Sequence, residues 1–186
     1  MHANDLVAAF SEAVQCDDPM SGARSVMEDL KGRTGEVLEA LSYLSGTGGN
    51  ARQAFYRSPN LSLLKVSFPN GRRTPPHSHG TWATILVLEG VEKNTLYRHN
   101  DDGSLKRVSD VDIGPGDILP MRAEAVHVAE CMGDAPALGL HVYGADVLGV
   151  DRFMWDPETL ERHELDWAMY EPLAQKASKM AGAPAA

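Results

Sequence analysis

Cysteine is scarce in this chain. Cys16 and Cys131 are the two present among 186 residues, far apart and without CxxC spacing. A disulfide-built scaffold is therefore excluded, and a reducing, cytoplasmic setting is expected. Long apolar runs are missing as well, so no membrane-spanning helix is expected. The opening MHANDLVAAFSEAV has no basic stretch leading into an apolar one, so no secretory signal is expected either. Positive charge is in deficit, with 17 Lys and Arg against 26 Asp and Glu and a net charge of −9. That balance argues against general affinity for nucleic acid or an anionic membrane, and Arg72, Arg73 and Arg122 are too sparse to track phosphates. Internal repeats and βαβ alternation are absent.

What remains is enough for one domain with a substantial core, spanning residues 1–186. Its apolar fraction of 43% is ordinary for a globular protein. From Asn4 to about Tyr43, Leu6, Val7, Phe10, Val14 and then Val37, Leu38 and Leu41 recur at helical spacing. Asp17-Asp18-Pro19 and Gly32 interrupt this segment, which predicts two or three short helices over residues 1–48. The glycine-rich residues 45–50 end it.

Residues 49–156 read as a β-barrel. Leu61–Phe68, Ala83–Leu88, Asn94–Tyr97, Val126–Cys131 and Ala137–Tyr143 are predicted strands, separated by turn signals such as Asn70-Gly71 and Gly114-Pro-Gly116. Many short strands with regular punctuation predict a barrel or jelly roll. Residues 157–186 return to helical composition, with Asp156 as the expected N-cap, Pro157 at the first helical position and a frayed tail. The fold class is thus mainly β, with a helical N-terminal segment and a C-terminal helix.

The strongest chemical signal is Gly71-Arg-Arg-Thr-Pro-Pro-His77-Ser-His79. Residues i and i+2 of a strand share a face, so both imidazoles can enter a barrel together. His127 lies between Val126 and Val128 and faces inward if the valines face outward. Three neutral imidazoles converging on one point make a metal site. A glycine eleven residues after His79 (Gly90), and Pro115-Gly-Asp117 ahead of the distant His127, complete a pattern that resembles both halves of the cupin motif. The resemblance implies a double-stranded β-helix, or jelly roll.

Many cupins carry a glutamate ligand where this chain has Ala83. Glu89 and Glu92 are out of register with that position and, flanking a turn, are expected to be solvated. Three neutral ligands leave a metal its full double charge and an open side, which favours thiolate and leaves room for O2.

Pro76-His-Ser-His79-Gly-Thr-Trp82, Leu86-Val-Leu-Glu-Gly90, Lys93-Asn-Thr-Leu-Tyr97, the His127 strand and Leu140-His-Val-Tyr143-Gly run in an order and spacing that resembles the thiol dioxygenases. That family includes cysteine dioxygenase and 3-mercaptopropionate dioxygenase. The resemblance covers about residues 50–155. It implies Fe²⁺ on His77, His79 and His127, with a small thiol-carboxylate and O2 as partners and a sulfinate as product.

It further implies that Tyr143 aims its hydroxyl at the iron ligands and that His141 orients it. The family's serine two residues before this histidine is Gly139 here. No cysteine near Ala83 can form the thioether crosslink known in animal members. Two arginines are candidates for the substrate carboxylate: Arg52 by the cysteine dioxygenase spacing, Arg152 by the mercaptopropionate spacing. Gln53 substitutes for Arg52 if the register slips by one, and Arg57 is expected to be a bystander. Trp82 and Trp155 are expected as pocket wall or core. Thr81-Trp82 and Arg152 tilt the expectation towards 3-mercaptopropionate over cysteine. Carbon–carbon-cleaving, lyase or isomerase chemistry on the same three histidines, and a non-catalytic ligand-binding cupin, are the alternatives.

Overall fold

The computed structural model describes residues 1–44 and 51–182, so the expected break at 45–50 and the tail at 183–186 lie outside the described residues. Among the described residues, eleven strands make two antiparallel sheets. The first has the order β1 (Ala51–Ser58), β2 (Leu61–Phe68), β9 (Ala137–Tyr143), β4 (Ala83–Glu89), β7 (Ile118–Met121). The second runs β11 (Arg162–Glu164), β10 (Phe153–Trp155), β3 (His77–Ser78), β8 (Val126–Met132), β5 (Val91–His99), β6 (Leu105–Ile113). Strands that alternate between two facing sheets in this way form the double-stranded β-helix expected from the sequence.

The core lies between the sheets. Leu64, Val66, Ala83, Ile85, Val87 and Leu119 of the first sheet meet Ile113, Ala129 and Cys131 of the second. The first sheet is buried on its outer face too, which explains why β4 reads as a near-continuous apolar run. Leu61, Leu63, Leu86, Leu88, Leu140 and Val142 on that face pack against Leu6 and Phe10 of α1 (Ala3–Ala13), Met27 and Leu30 of α2 (Pro19–Leu30), and Val37. Val37 belongs to α3 (Thr34–Ala40). Asp18 caps α2 by accepting from the Ser21 amide at 3.2 Å, with Pro19 in the first turn, and Gly32 falls in a 3-10 turn over Lys31–Arg33. Both expected interruptions are therefore real helix boundaries.

The turn from β4 to β5 depends on Gly90. Its φ is +74°, and a Cβ there would lie 2.4 Å from the Pro136 carbonyl oxygen. Only glycine fits that left-handed, crowded position. Strand β6 escaped the sequence reading because its interior residues are charged and exposed, as befits a sheet edge.

The C-terminal helix starts later than expected. Asp156 does cap, but it caps a turn, accepting from the amides of Glu158 at 2.8 Å and Thr159 at 3.0 Å. Leu160, at φ 57°, then reverses the chain, and Arg162–Glu164 pairs with β10. Asp166 is the true N-cap, accepting from Ala168 at 2.9 Å, and the helix α4 runs Trp167–Ala181. Pairing with β10 outweighed a local cap signal that suits turn and helix equally. No described helix is long and apolar enough to cross a membrane.

Candidate metal centre

His77 and His127 stand directly opposite one another on β3 and β8. Cross-strand partners share a face. In β8 the inward set is His127, Ala129 and Cys131, while Val126 packs outward against Leu105 and Trp155. The condition placed on the valines is met. His79 completes the group: one ligand nitrogen from each of the three rings lies within 4.8 Å of the others, and the Nε2 atoms of His79 and His127 are 3.3 Å apart. That spacing suits donors about 2.0–2.1 Å from one small divalent ion.

Two tautomers are set by the surroundings. His77 Nδ1 lies 3.0 Å from the Pro75 carbonyl oxygen, which can only accept, so the proton sits on Nδ1 and the Nε2 lone pair is free. His127 Nδ1 lies 2.7 Å from Asn94 Oδ1, and the Asn94 amide in turn donates to Glu92 Oε1 at 2.9 Å. The amide oxygen therefore faces the ring and fixes its free lone pair as well. His79 Nδ1 is buried without a partner. Burial, then the neighbouring His127, holds His77 and His79 well below the ordinary histidine range, and burial with the Arg52 charge takes His127 down to about 3. All three rings are neutral at pH 7, the state a cation requires. Among the described residues no carboxylate joins the group, and Ala83, fully buried, lies across from Tyr143.

Strand β9 delivers Gly139, His141 and Tyr143 to the inner face. His141 Nδ1 is 3.0 Å from the Tyr143 hydroxyl, and the Tyr143 and His79 ring centres are 5.1 Å apart. Burial pushes Tyr143 up to about 12 against the pull of Arg52 and Arg152. His141 is held at about 3 by burial, then by His127 and Arg52. Its Nε2 has no partner, and Gly139, two residues before it on the strand, has no side chain to offer one.

Both candidate arginines line the cavity that holds His77, His79 and Tyr143. Arg52 pairs across from Val66, an inner residue, so it points into the barrel. Gln53 pairs across from Lys65, whose ammonium bonds the carbonyls of Leu41 and Leu44 under the helices. The one-residue slip is thereby excluded. Arg57 forms an exposed two-pronged pair with Asp146 at 2.8 and 2.7 Å, away from the cavity.

Sequence reasoning missed four neighbours. Glu92 is 2% exposed, not solvated as expected, and burial pushes its carboxyl up to about 7. Glu92 and Asn94 share the inward face of β5, opposite Cys131 and Ala129; polar residues two apart in a barrel strand were the available signal. Trp167 and Tyr170, from the start of α4, wall the cavity. Nothing in the sequence places that helix over the barrel mouth. Of the two expected as pocket wall or core, both are core: Trp82 packs with the helical layer, and Trp155 is buried in the outer cluster with Val126.

No family model matches the chain. Several solved structures are similar in fold. An uncharacterized conserved protein with a double-stranded β-helix domain, from Klebsiella pneumoniae, aligns over 59% of this chain and 82% of its own at 16% identity and a TM-score of 0.46. A cupin family protein from Methanocaldococcus jannaschii aligns over 56% and 88% at 10% identity and a TM-score of 0.45. DMSP lyase from Ruegeria pomeroyi aligns over 59% and 53% at 21% identity and a TM-score of 0.47. These are likenesses of fold and assign no chemistry.

Proposed function

We propose that the protein is an Fe²⁺-dependent thiol dioxygenase acting on a small mercapto-carboxylate. The observation that carries the reading is one cavity lined by His77, His79, a buried tyrosine and two arginines, with His127 completing the imidazole group and no carboxylate joining it among the described residues. Three imidazoles accept several first-row ions; iron is chosen because oxygen chemistry needs a redox-active one. His77, His79 and His127 would hold the ion, which would supply redox chemistry between thiolate and O2.

The chain's own residues supply position. A guanidinium binds the substrate carboxylate through paired N–H bonds and fixes where sulfur sits. Tyr143 keeps its proton at pH 7 and donates a hydrogen bond to the reacting atoms. His141, neutral and buried, holds that hydroxyl. In the overall change the S–H bond and the O–O bond break, two S–O bonds form, sulfur gives four electrons to O2, and one proton leaves to solvent. A neutral diketone, the substrate of a carbon–carbon-cleaving relative, would leave both arginines without a counter-charge.

Iron-loaded protein should consume O2 and yield sulfinate in equal amounts with at least one of 3-mercaptopropionate, cysteine or a related mercapto-acid. His127→Ala should abolish both, and Tyr143→Phe should lower kcat about 10²-fold. Stoichiometric iron with no oxygen uptake on any such thiol sinks the reading.

A further inference from the structure

We propose that the substrate carries two carboxylates beside its thiol, a mercapto-dicarboxylate of the mercaptosuccinate class, with Arg52 and Arg152 each taking one. The inference rests on the thiol-dioxygenase reading.

Six arginines of this chain, at 24, 33, 57, 72, 73 and 107, pair with acidic side chains. Arg98, Arg122 and Arg162 make no such pair among the described residues but are exposed, where water suffices. Arg52 and Arg152 differ from both groups. They are partly buried, and no ion pair reaches either among the described residues. Arg52 Nη2 donates to the Tyr170 hydroxyl, yet Nη1 is buried with no partner. An unmet charged donor in a protein interior is costly unless a ligand supplies the acceptor.

Both guanidiniums lie over the same indole, each with its central carbon 5.2 Å from the centre of the Trp167 ring. Burial lowers the Arg152 pKa, and the Arg52 charge adds to the effect. Two like charges lining one cavity, neither in an ion pair among the described residues, favour an anion there. A mercapto-monocarboxylate sends its thiolate to the metal and its carboxylate to one arginine, leaving the other unmet. A dicarboxylate satisfies both.

The shape of the space agrees. The cavity at the histidines is only about 20 Å³, and it shares Trp167 and Leu148 as lining with two adjoining clefts of about 240 Å³ each. Arg52 lines one cleft and Arg152 the other. A thiol carbon flanked by two carboxylate arms matches that fork better than one carboxylate clamped twice. Asp151 and Glu164 stand on the exposed rim of the Arg152 cleft and make no ion pair with it.

The test is calorimetry of the iron-loaded full chain, without oxygen, against mercaptosuccinate, 3-mercaptopropionate and cysteine, followed by oxygen uptake with each. Mercaptosuccinate should bind about tenfold or more tighter than either monocarboxylate and be oxidised to the sulfinate. Arg52→Met and Arg152→Met should each bring its affinity to within about threefold of that for 3-mercaptopropionate. The wild-type ratio decides the matter even if a variant fails to fold. Equal or tighter binding of an oxidised monocarboxylate overturns the dicarboxylate and leaves the dioxygenase standing. Oxygen uptake with none of the three overturns both.

Discussion

Gly139 sits against the imidazole of His141: a Cβ on it would lie 3.0 Å from Nε2 and 3.1 Å from Cδ2. The missing side chain thus leaves room for the ring and deprives its outer nitrogen of a partner. Gly139→Ala should crowd the ring without compensation, displace the Tyr143 hydroxyl and lower kcat about tenfold at unchanged iron content. Gly139→Ser crowds it equally but offers a hydroxyl to Nε2. The serine variant should melt roughly 2–4 °C above the alanine variant, corresponding to about 1 kcal/mol. An alanine variant as active as the parent would show that His141 does not position Tyr143.

Asn94 and Glu92 should govern metal affinity without touching the metal. Asn94→Leu removes the acceptor that keeps the His127 proton on Nδ1, and affinity should fall about 10–100-fold. Glu92→Leu frees the Asn94 amide to rotate and should fall in the same direction. Glu92→Gln still accepts from Asn94 and should stay near the parent. Competition with a chromophoric chelator measures all three. A glutamine variant as weak as the leucine variant would point to charge and not to hydrogen-bond direction.

Acid should destabilise the metal-free protein. His127 and His141 titrate near 3 when folded, and His77 and His79 also lie well below their unfolded value of 6.5. Between those limits the unfolded chain holds more protons, so stability falls as pH drops below about 6.5. Glu92, raised to about 7 from 4.5, acts oppositely and loses its contribution as pH rises through that window. Four histidines outweigh one glutamate. Urea midpoints should fall steadily from pH 7 to pH 5, and a flat profile would mean that the rings are not buried as neutral groups.

The anchoring of α4 is open to a separate test. Arg72 binds Glu171 through two bonds of 2.6 and 2.7 Å, with the arginine side chain 11% exposed and the glutamate 39%. Because the glutamate is partly solvated, Glu171→Ala should cost only about 1 kcal/mol. Amide exchange should quicken over Trp167–Ala181 and stay unchanged in the barrel strands. Faster exchange throughout would show that the helix and barrel open together.

By itself the sequence determined the barrel and its histidines. Both are written in short periods, because a strand sorts its side chains by alternate residues whatever lies around it: His77 with His79, and His127 against its valines. The N-terminal helices were legible for the same local reason, in the spacing of Leu6 and Phe10. What depended on distant partners could not be read. Asp156 and Asp166 are equally good caps, and only pairing of Arg162–Glu164 with β10 decided between them. Whether Glu92 is wet or buried turned on β8 lying beside it. That Arg52 and Arg152 lie over one ring, Trp167, depended on a helix the sequence could not aim. Periodicity is a property of neighbours along the chain, whereas charge, burial and convergence belong to neighbours in space.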